Sequence, residues 1–272
     1  MPKQVSISKI DGKPGQVYYP LSLDEVEKRT PSSGEVLIKI HAAALNHRDL
    51  FIRQHQYPGT TFGVALCADG CGTVIELGSG VNPKWKGKRV VINPGEGWKD
   101  DPAGPEDKGG YRILGGTKLN ANGTLQEYMV VKEVELEEAP GHLDDVHAAA
   151  IPLTGLTAWR AVMVKCGQQN VAPGTNVLIT GIGGGVALMA LEFARAAGAN
   201  VYVTSGSEEK IKKAVQLGAK GGVNYKEQGW DKKLLGMLTT ERKLFDAIVD
   251  GAGADVVEKG ARLLKVRSRL RW

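Results

Sequence analysis

The sequence predicts an α/β protein with a β-rich N-terminal domain followed by a doubly wound parallel sheet. Three observations favour this class. Short, glycine-punctuated strands fill the first half, strands alternate with helices in the second half, and a glycine-rich turn joins a strand to a helix in "ITGIGGGVALMALEFA". Such alternation is typical of parallel sheets covered by helices. We therefore expect two domains, residues 1–150 and 151–272.

The strands of the first half are predicted from apolar runs between turns. Residues 34–45 and 123–131 form two such runs, and "CGTVIELG" and "GKRVVINPG" form two more between them. The stretch 93–116 is rich in Gly, Pro and Asp, which predicts a long loop that is either functional or mobile.

The second half follows a β-α-β-α-β order after a predicted helical crossing near 147–163. Strands are expected at 176–181, 199–205, 221–225 and 245–251. A helix begins after Ser207 and ends at Gly218, and another lies around 228–240. The helix after the glycine turn places these apolar residues on one face: Val186, Met189, Ala190, Phe193, Ala194 and Ala197.

Composition indicates a soluble, cytoplasmic protein. The chain has 272 residues, 42% of them hydrophobic, and three cysteines; it starts with a polar segment and lacks an apolar run of the roughly 18–20 residues that a membrane span needs. The net charge of +5 arises in 259–272, which holds six of the 35 basic residues and no acidic one. The rest is nearly neutral, so we expect a solvated basic tail and neither a nucleic-acid nor a membrane partner.

The glycine turn predicts a dinucleotide site. It lets a backbone approach a pyrophosphate, and the helix that follows offers free N–H groups and a positive dipole end. The pattern is not a strict G-x-G-x-x-G because Val186 occupies the last position, and a plain flexible turn is the alternative. The expected cofactor-binding residues of this turn are Gly181, Gly183, Gly184, Gly185 and Val186.

The end of the next strand favours NADP(H) over NAD(H). An NAD site presents an Asp or Glu to the ribose hydroxyls about 20 residues after the glycines, but no carboxylate directly follows this strand in "VTSGSEEK". Ser205, Ser207 and Lys210 could bind a 2′-phosphate instead, and Tyr225 could cover the adenosine end. The alternative is that Lys210 is a solvated helix lysine.

With these features in place, the chain resembles the medium-chain dehydrogenase/reductase superfamily, which includes zinc-type alcohol dehydrogenase-like and quinone oxidoreductase-like enzymes. The resemblance covers about residues 5–265 and rests on "GEVLIKIHAAALNHRDL", "GTVIELGSGV", "GTLQEYMVV", "AAAIPLTGLTAW", "VLITGIGGGVALMALEFARAAGA" and "LFDAIVDGAG". It implies a GroES-like N-terminal domain, a Rossmann domain and a small-molecule substrate.

The resemblance also implies where catalytic zinc would bind in zinc-bearing members, and this chain differs there. The three ligand positions fall at Asn46, Ala68 and Leu153, whose side chains do not suit zinc. Cys67 and Cys71 supply at most two ligands, and a redox pair is a further alternative. The 93–116 loop has no cysteine for a structural zinc. We therefore expect no zinc.

The zinc-free members imply hydride transfer from NADPH to a quinone, an enone or a similar activated carbonyl acceptor. Without a Lewis acid, hydrogen-bond donors must stabilise the charge that develops on the acceptor. The candidate catalytic residues are Asn46, His47, Arg48, Asp49 and Tyr57, and Thr157 matches a position near the nicotinamide. Each could instead be structural, with Asp49 orienting Arg48 or His47 touching the pyrophosphate.

The resemblance implies further strands after "LLKV", whereas this chain continues as "RSRLRW". We therefore expect an incomplete Rossmann domain, which a short isoform or an altered reading frame would produce. The missing strands could leave exposed the sheet edge through which a homodimer forms. Two alternatives to the quinone or enone reductase stay open. One is an alcohol or carbonyl dehydrogenase, and the other is a catalytically impaired nucleotide-binding isoform.

Overall fold

The computed structural model of the protein describes residues 1–238, 243–253 and 255–271. The chain divides into two units, Met1–Leu153 and Thr154–Trp272, and each is described by itself. Across the described residues, no helix combines the length and apolar character needed to cross a membrane.

The first unit is built mainly from antiparallel strands. Its elements are β1 (Lys3–Ile7), β2 (Leu21–Glu25), β3 (Glu35–Ala44), α1 (His47–Arg53), β4 (Asp69–Leu77), β5 (Arg89–Ile92), β6 (Gly95–Glu96), β7 (Arg112–Ile113), β8 (Tyr128–Lys132), β9 (Leu136–Glu138) and α2 (Asp145–Ala149). The main sheet has the order β8-β3-β4-β5-β9, while β1 pairs with β2 and β6 with β7. The β-rich first domain is thus confirmed.

The main core of this unit lies against one face of that sheet. Its fully buried members come from β3, β4 and β5, where alternate side chains point the same way. They pack with residues of the segments that follow, and the group includes Val36, Ile38, Ala68, Val74, Val90, Ile92, Leu114 and Met129. On the other face, Cys71 packs with Ala148 and Ala149 of α2.

Two parts of this unit differ from the prediction. The β1–β2 hairpin was not expected, because β2 alternates exposed and half-buried residues and has no fully buried one. The Ser6 and Ser22 hydroxyls both donate to the Asp24 carboxylate between the two strands. The predicted strand 123–131 is shortened to β8, because Leu125 donates its N–H to Leu66 O (2.9 Å) outside the ladder. In the long loop, the Glu106 carboxylate accepts N–H bonds from Lys99, Asp100 and Asp101 at 2.6–2.8 Å, so the loop is held internally.

The second unit alternates helices with parallel strands. Its elements are α3 (Pro152–Trp159), a π-helix (Arg160–Cys166), β10 (Asn176–Ile179), α4 (Gly185–Ala196), β11 (Asn200–Ser205), α5 (Glu208–Gln216), β12 (Gly221–Asn224), α6 (Trp230–Leu235), β13 (Phe245–Val249), α7 (Val256–Leu263) and β14 (Leu264–Arg271). The strand order is β12-β11-β10-β13-β14, with parallel neighbours throughout. This confirms the doubly wound sheet.

The order reverses at β10, because the chain adds β11 and β12 on one side and β13 and β14 on the other. The carboxyl ends of strands at such a switch point are where open α/β sheets bind ligands. Strands β10 and β13 are buried along their whole length. The site region of this unit is therefore carried by two completely buried strands.

The core face of α4 is shifted from the predicted one. Ala187, Ala190, Leu191 and Ala194 are buried, whereas Val186, Met189, Phe193 and Ala197 pack around them partly exposed. The predicted stripe was correct in its period but centred one residue off. Small residues at the buried positions let α4 lie close to the sheet.

The expected solvated tail is wrong for two of the three basic residues of 259–272 whose side chains are described, Lys259 and Lys265, whereas Arg262 is exposed as expected. Lys259 forms an ion pair with Asp255 at 2.5 Å and lies over the Trp230 ring at 4.8 Å. Lys265 pairs with Asp246 at 2.5 Å. The backbone of β14 pairs with β13, so this basic segment is a strand of the sheet rather than a free tail.

Candidate active site

The glycine turn connects β10 to α4 in the second unit. Gly181 and Gly183 have φ values of +67° and +109°, which side-chain-bearing residues rarely adopt. The α4 helix begins at Gly185, and no side chain among the described residues caps its N-terminus. Its first N–H groups are therefore available to an anion such as a pyrophosphate, so the turn fits a dinucleotide.

A side chain would meet a close neighbour at two of these positions, the flexible Lys210 side chain at Gly183 and Thr154 at Gly185. A Cβ built at Gly183 would lie 2.6 Å from Lys210 Cδ, and one at Gly185 would lie 2.8 Å from Thr154 Cγ2. At Gly184 the nearest atom would be 3.8 Å away, so that position has room. The stem of Lys210 thus lies directly against the turn.

The end of β11 gathers the residues predicted to bind the adenosine end. Ser207 caps α5, its hydroxyl accepting the Lys210 N–H at 3.5 Å. A Cβ built at Gly206 would lie 2.9 Å from the Tyr225 hydroxyl and 2.8 Å from Lys226 Cε. The Tyr225 hydroxyl and the Lys226 stem therefore pack directly against Gly206, which brings a hydrogen-bond donor and a cationic side chain to the end of β11.

Ser205 has a different environment from its neighbours. It is buried, and its hydroxyl donates to Ile182 O at 3.2 Å and accepts the Ser207 N–H at 3.3 Å. These bonds tie the end of β11 to the glycine turn. Val186, in the first turn of α4, packs partly buried against the core, and Thr157 of α3 is exposed.

The sequence analysis did not identify Asp250 as a site residue. This buried carboxylate follows β13 and accepts a hydrogen bond from the Thr180 hydroxyl, which itself accepts the Gly251 N–H at 3.0 Å. Asp250 also accepts the Ala252 and Gly253 N–H groups at 3.2–3.3 Å. The signal that could have identified Asp250 in the sequence is its position at the carboxyl end of a buried strand.

In the first unit, Asn46 is held at both its backbone and its side chain. Its backbone N–H donates to Asp49 Oδ2 at 2.7 Å, as in a capping box at the start of α1. Its side-chain Nδ2 donates to Asp69 Oδ2 at 2.7 Å. Asn46 itself is partly exposed, whereas Asp49 and Asp69 are buried.

The Asp69 carboxylate lies in the least exposed part of this group. Its Oδ1 accepts the Leu153 N–H at 2.8 Å. Burial raises the pKa of Asp69 to about 6, against the lowering effect of the hydrogen bonds from Asn46 and Leu153. Burial also raises the pKa of Asp49. The resemblance places a ligand position at the preceding residue, Ala68, but the partners of Asp69 cannot be identified from the sequence.

Arg48 and Tyr57 form a stacked pair next to these carboxylates. The Arg48 guanidinium lies 4.9 Å from the Tyr57 ring centroid, and its Nη2 donates to Gly115 O at 3.0 Å. Nη1 lies 3.6 Å from Asp49 Oδ1, and among the described residues neither Nη1 nor Nε has a hydrogen-bond acceptor. Tyr57 also lines a surface depression of about 440 Å³.

His47 lies apart from this buried group. Its exposed ring packs edge-on against Phe51 with a centroid distance of 4.6 Å. The structure therefore brings together Asn46, Arg48, Asp49 and Tyr57 of the predicted catalytic set. His47 lies on the exposed side of α1.

The positions at which the resemblance implies zinc do not fit the metal. Asn46 donates its amide to a carboxylate, Ala68 is a fully buried methyl group, and the Leu153 side chain packs against the core. No group of three or more His, Cys, Asp or Glu within the described residues could hold a metal ion. Burial raises the pKa of the nearby Cys67 thiol and raises that of Cys71 to about 11.

Two family models match the chain. Residues 32–141 match the alcohol dehydrogenase GroES-like domain, and residues 185–270 match a domain described as zinc-binding dehydrogenase. A zinc-type alcohol dehydrogenase-like protein from Leptosphaeria maculans is 48% identical over 271 residues, covering 97% of this chain and 75% of that protein.

Two further relatives extend the range of named activities. An acryloyl-coenzyme A reductase from Metallosphaera sedula is 33% identical over 188 residues, covering 68% of this chain and 55% of that one. A crystal structure of an NAD-dependent alcohol dehydrogenase is 36% identical, with a TM-score of 0.84 over 98% of this chain and 76% of its own. The chain thus spans between about half and three quarters of the length of these proteins.

Proposed function

The chain belongs to the medium-chain dehydrogenase/reductase superfamily, and from this premise we propose that it transfers hydride from NADPH to an enone, a quinone or a similar activated carbonyl without using zinc. The observation that carries the proposal is the hydrogen bond between Asn46 and Asp69 at a position where zinc-bearing relatives place a ligand. It leaves an amide donor where a Lewis acid would otherwise act.

The second unit supports nicotinamide cofactor binding. The uncapped start of α4 and the two left-handed glycines are suited to a pyrophosphate. A bound nicotinamide dinucleotide supplies the hydride, and the protein supplies position and charge. Thr180 and Asp250 hold the ends of β10 and β13 together, so the edge that receives the cofactor is fixed before it binds.

The preference for NADPH rests on the charge around Gly206. Tyr225, Lys226 and Lys210 approach this position or the adjacent turn, and Ser207 presents its hydroxyl at the N-terminus of α5. A 2′-phosphate would meet cations and hydrogen-bond donors here. The NAD-dependent alcohol dehydrogenase structure makes cofactor choice the first quantity to measure.

The acceptor part of the proposal rests on donors in the first unit. As charge develops on an acceptor oxygen, a fixed N–H of the partly exposed Asn46 amide can stabilise it without reorganising. The buried Arg48 guanidinium adds positive potential nearby. The acryloyl-coenzyme A reductase relative supports an α,β-unsaturated carbonyl compound as the acceptor class.

The test is a spectrophotometric assay of NADPH and NADH oxidation with a panel of enones, quinones, aldehydes and ketones, run on protein treated with a chelator. The proposal predicts turnover with enones or quinones, and a higher kcat/KM with NADPH. Turnover confined to alcohols and simple carbonyls, and dependent on added zinc, would favour the alcohol dehydrogenase alternative suggested by the names of two relatives.

A further inference from the structure

Three distant segments of the first unit meet at the Asp69 carboxylate and its own carbonyl. Oδ2 accepts from Asn46 Nδ2 at 2.7 Å, and Oδ1 accepts from the Leu153 N–H at 2.8 Å. The Asp69 carbonyl accepts from the Thr124 hydroxyl at 2.6 Å. Asp69 is fully buried. It therefore joins the start of α1, the segment at Leu153 and the loop before β8 inside the first unit and away from solvent.

This junction has the opposite polarity to a metal centre. A metal ion joins segments by taking lone pairs from their side chains, and so it places a positive charge at the centre. Here the centre is a carboxylate, which can only accept while ionised, and its two partners are both N–H donors. The donors at the junction, one side-chain amide and one backbone N–H, are arranged to satisfy an anion.

We propose that Asp69 is a positioning residue that joins the Asn46 and Leu153 segments in place of a metal ion and fixes the direction in which the Asn46 amide donates. The proposal rests on the proposed function, in which Asn46 contacts the acceptor. Asp69 does not need to touch the acceptor itself in this role.

The direction follows from what each group can do. An ionised carboxylate must face the NH₂ side of the amide rather than its oxygen, so one Asn46 N–H is committed to Asp69. The second N–H remains for the exposed side of the residue, while the amide oxygen belongs to the capping box at the start of α1. Asp49 holds the Asn46 backbone N–H at 2.7 Å, so the main chain and the side chain are fixed by separate carboxylates.

The first variant for the test is Asp69→Asn, with Asp145→Asn as the matched control. Asp145 also accepts side-chain donors in the first unit, from Arg89 at 2.5 Å and His41 at 3.0 Å, but it has no hydrogen bond to Asn46 or Leu153. We expect Asp69→Asn to lower kcat for enones about 10- to 100-fold, as loss of an orienting partner does. NADPH affinity should stay within about twofold of that of the wild type.

A structural readout accompanies activity. Hydrogen exchange of the Leu153 amide should accelerate about tenfold or more in Asp69→Asn. The new amide has only one oxygen for the two N–H donors, from Asn46 and Leu153, that faced the carboxylate. The Asp145→Asn control should leave both kcat and Leu153 exchange unchanged. If Asp69→Asn behaved like the wild type in both readouts, the proposal would be wrong.

The double variant Asn46→Asp/Asp69→Asn separates joining from positioning. The new carboxylate at 46 can accept from the new amide at 69, whose oxygen can accept the Leu153 N–H. The junction and the net charge are kept, but the donor at 46 is lost. We expect protection of Leu153 to return while kcat stays low, and recovery of both would overturn the positioning role.

Two further outcomes keep the two proposals apart. If the wild type turned over no acceptor but Asp69→Asn still released the Leu153 amide, the proposed function would fail and the junction would stand. If the purified wild type held one zinc per chain, and the zinc was displaced by Asp69→Asn, substitution for a metal would be wrong.

Discussion

The stem of Lys210 lies against Gly183, so close that a Cβ at Gly183 would fall 2.6 Å from Lys210 Cδ. This contact places a helix α5 lysine beside the turn that opens α4. It connects the two features on which cofactor binding depends, the conformation of the glycine turn and the positive charge beside it. Each can be changed separately.

The first prediction concerns the turn. Gly183→Ala should weaken NADPH binding about tenfold or more, because the +109° φ disfavours a side chain and the new methyl would displace the Lys210 stem. Calorimetric Kd values check this. Gly184→Ala is the control for folding, because its nearest atom would be 3.8 Å away. A Gly183→Ala variant that bound NADPH with the wild-type Kd would contradict the account.

The second prediction concerns cofactor choice. Lys210→Ala should reduce the NADPH/NADH preference in kcat/KM about 10- to 100-fold, the value of a lost charge-assisted bond to phosphate. Binding of NADH should hardly change. Lys212→Ala removes an exposed lysine from the same helix and should leave the ratio as it is. An unchanged ratio in Lys210→Ala would mean that Lys210 is a solvated lysine.

The third prediction concerns the Asn46 donor. Asn46→Ala should lower kcat for enones about 100-fold, comparable to the removal of one oxyanion donor, with the NADPH Kd unchanged. Leu45→Ala, at the exposed neighbouring residue, is the control. Turnover of Asn46→Ala at the wild-type rate with both quinones and enones would remove this residue from the site.

The fourth prediction concerns pH and stability. The pKa of Asp69 is raised in the folded state to about 6, so its ionisation opposes folding. This destabilising contribution to the free energy of unfolding is absent below about pH 4 and grows as pH rises towards 6. It levels off at about 3 kcal/mol above pH 7. Asp49, Arg48, Cys67 and Tyr111 share this environment, with Arg48 as the cation of the group.

Chemical denaturation at pH 5 and pH 8 checks this dependence. The wild type should lose free energy of unfolding relative to Asp69→Asn between these two values, whatever constant offset the lost hydrogen bonds add. Relative to Asp145→Asn the wild type should show no such loss, because both proteins keep Asp69 and because the hydrogen bonds of Asp145, led by that from Arg89, lower its pKa below its usual range. Parallel pH curves for the wild type and Asp69→Asn would contradict a raised pKa.

The sheet of the second unit could be predicted because each strand is an apolar run followed by a turn. The buried face of α4 was displaced by one residue, since Val186 and Ala187 are both apolar and periodicity alone cannot choose between them. The β1–β2 hairpin was missed because its strands carry polar residues on a half-exposed ribbon. These differences reflect tertiary packing rather than local preference.

The candidate site was predicted unevenly for a related reason. Asn46 and Lys210 lie in short motifs that can be interpreted locally. The partners of Asp69 lie 23 and 84 residues away, so only the fold brings them together. The stacking of Arg48 on Tyr57 likewise depends on how the chain returns after α1.

The most direct measurement follows a label from cofactor to product. NADPH deuterated at C4, prepared separately on each face, is oxidised with an enone by chelator-treated protein, and the product is examined by mass spectrometry and NMR. The account predicts one deuterium at the β-carbon from one of the two labelled faces, a solvent proton at the α-carbon, and a rate independent of added zinc. Product without deuterium from either face, or a rate that rises in proportion to bound zinc, would contradict zinc-free hydride transfer.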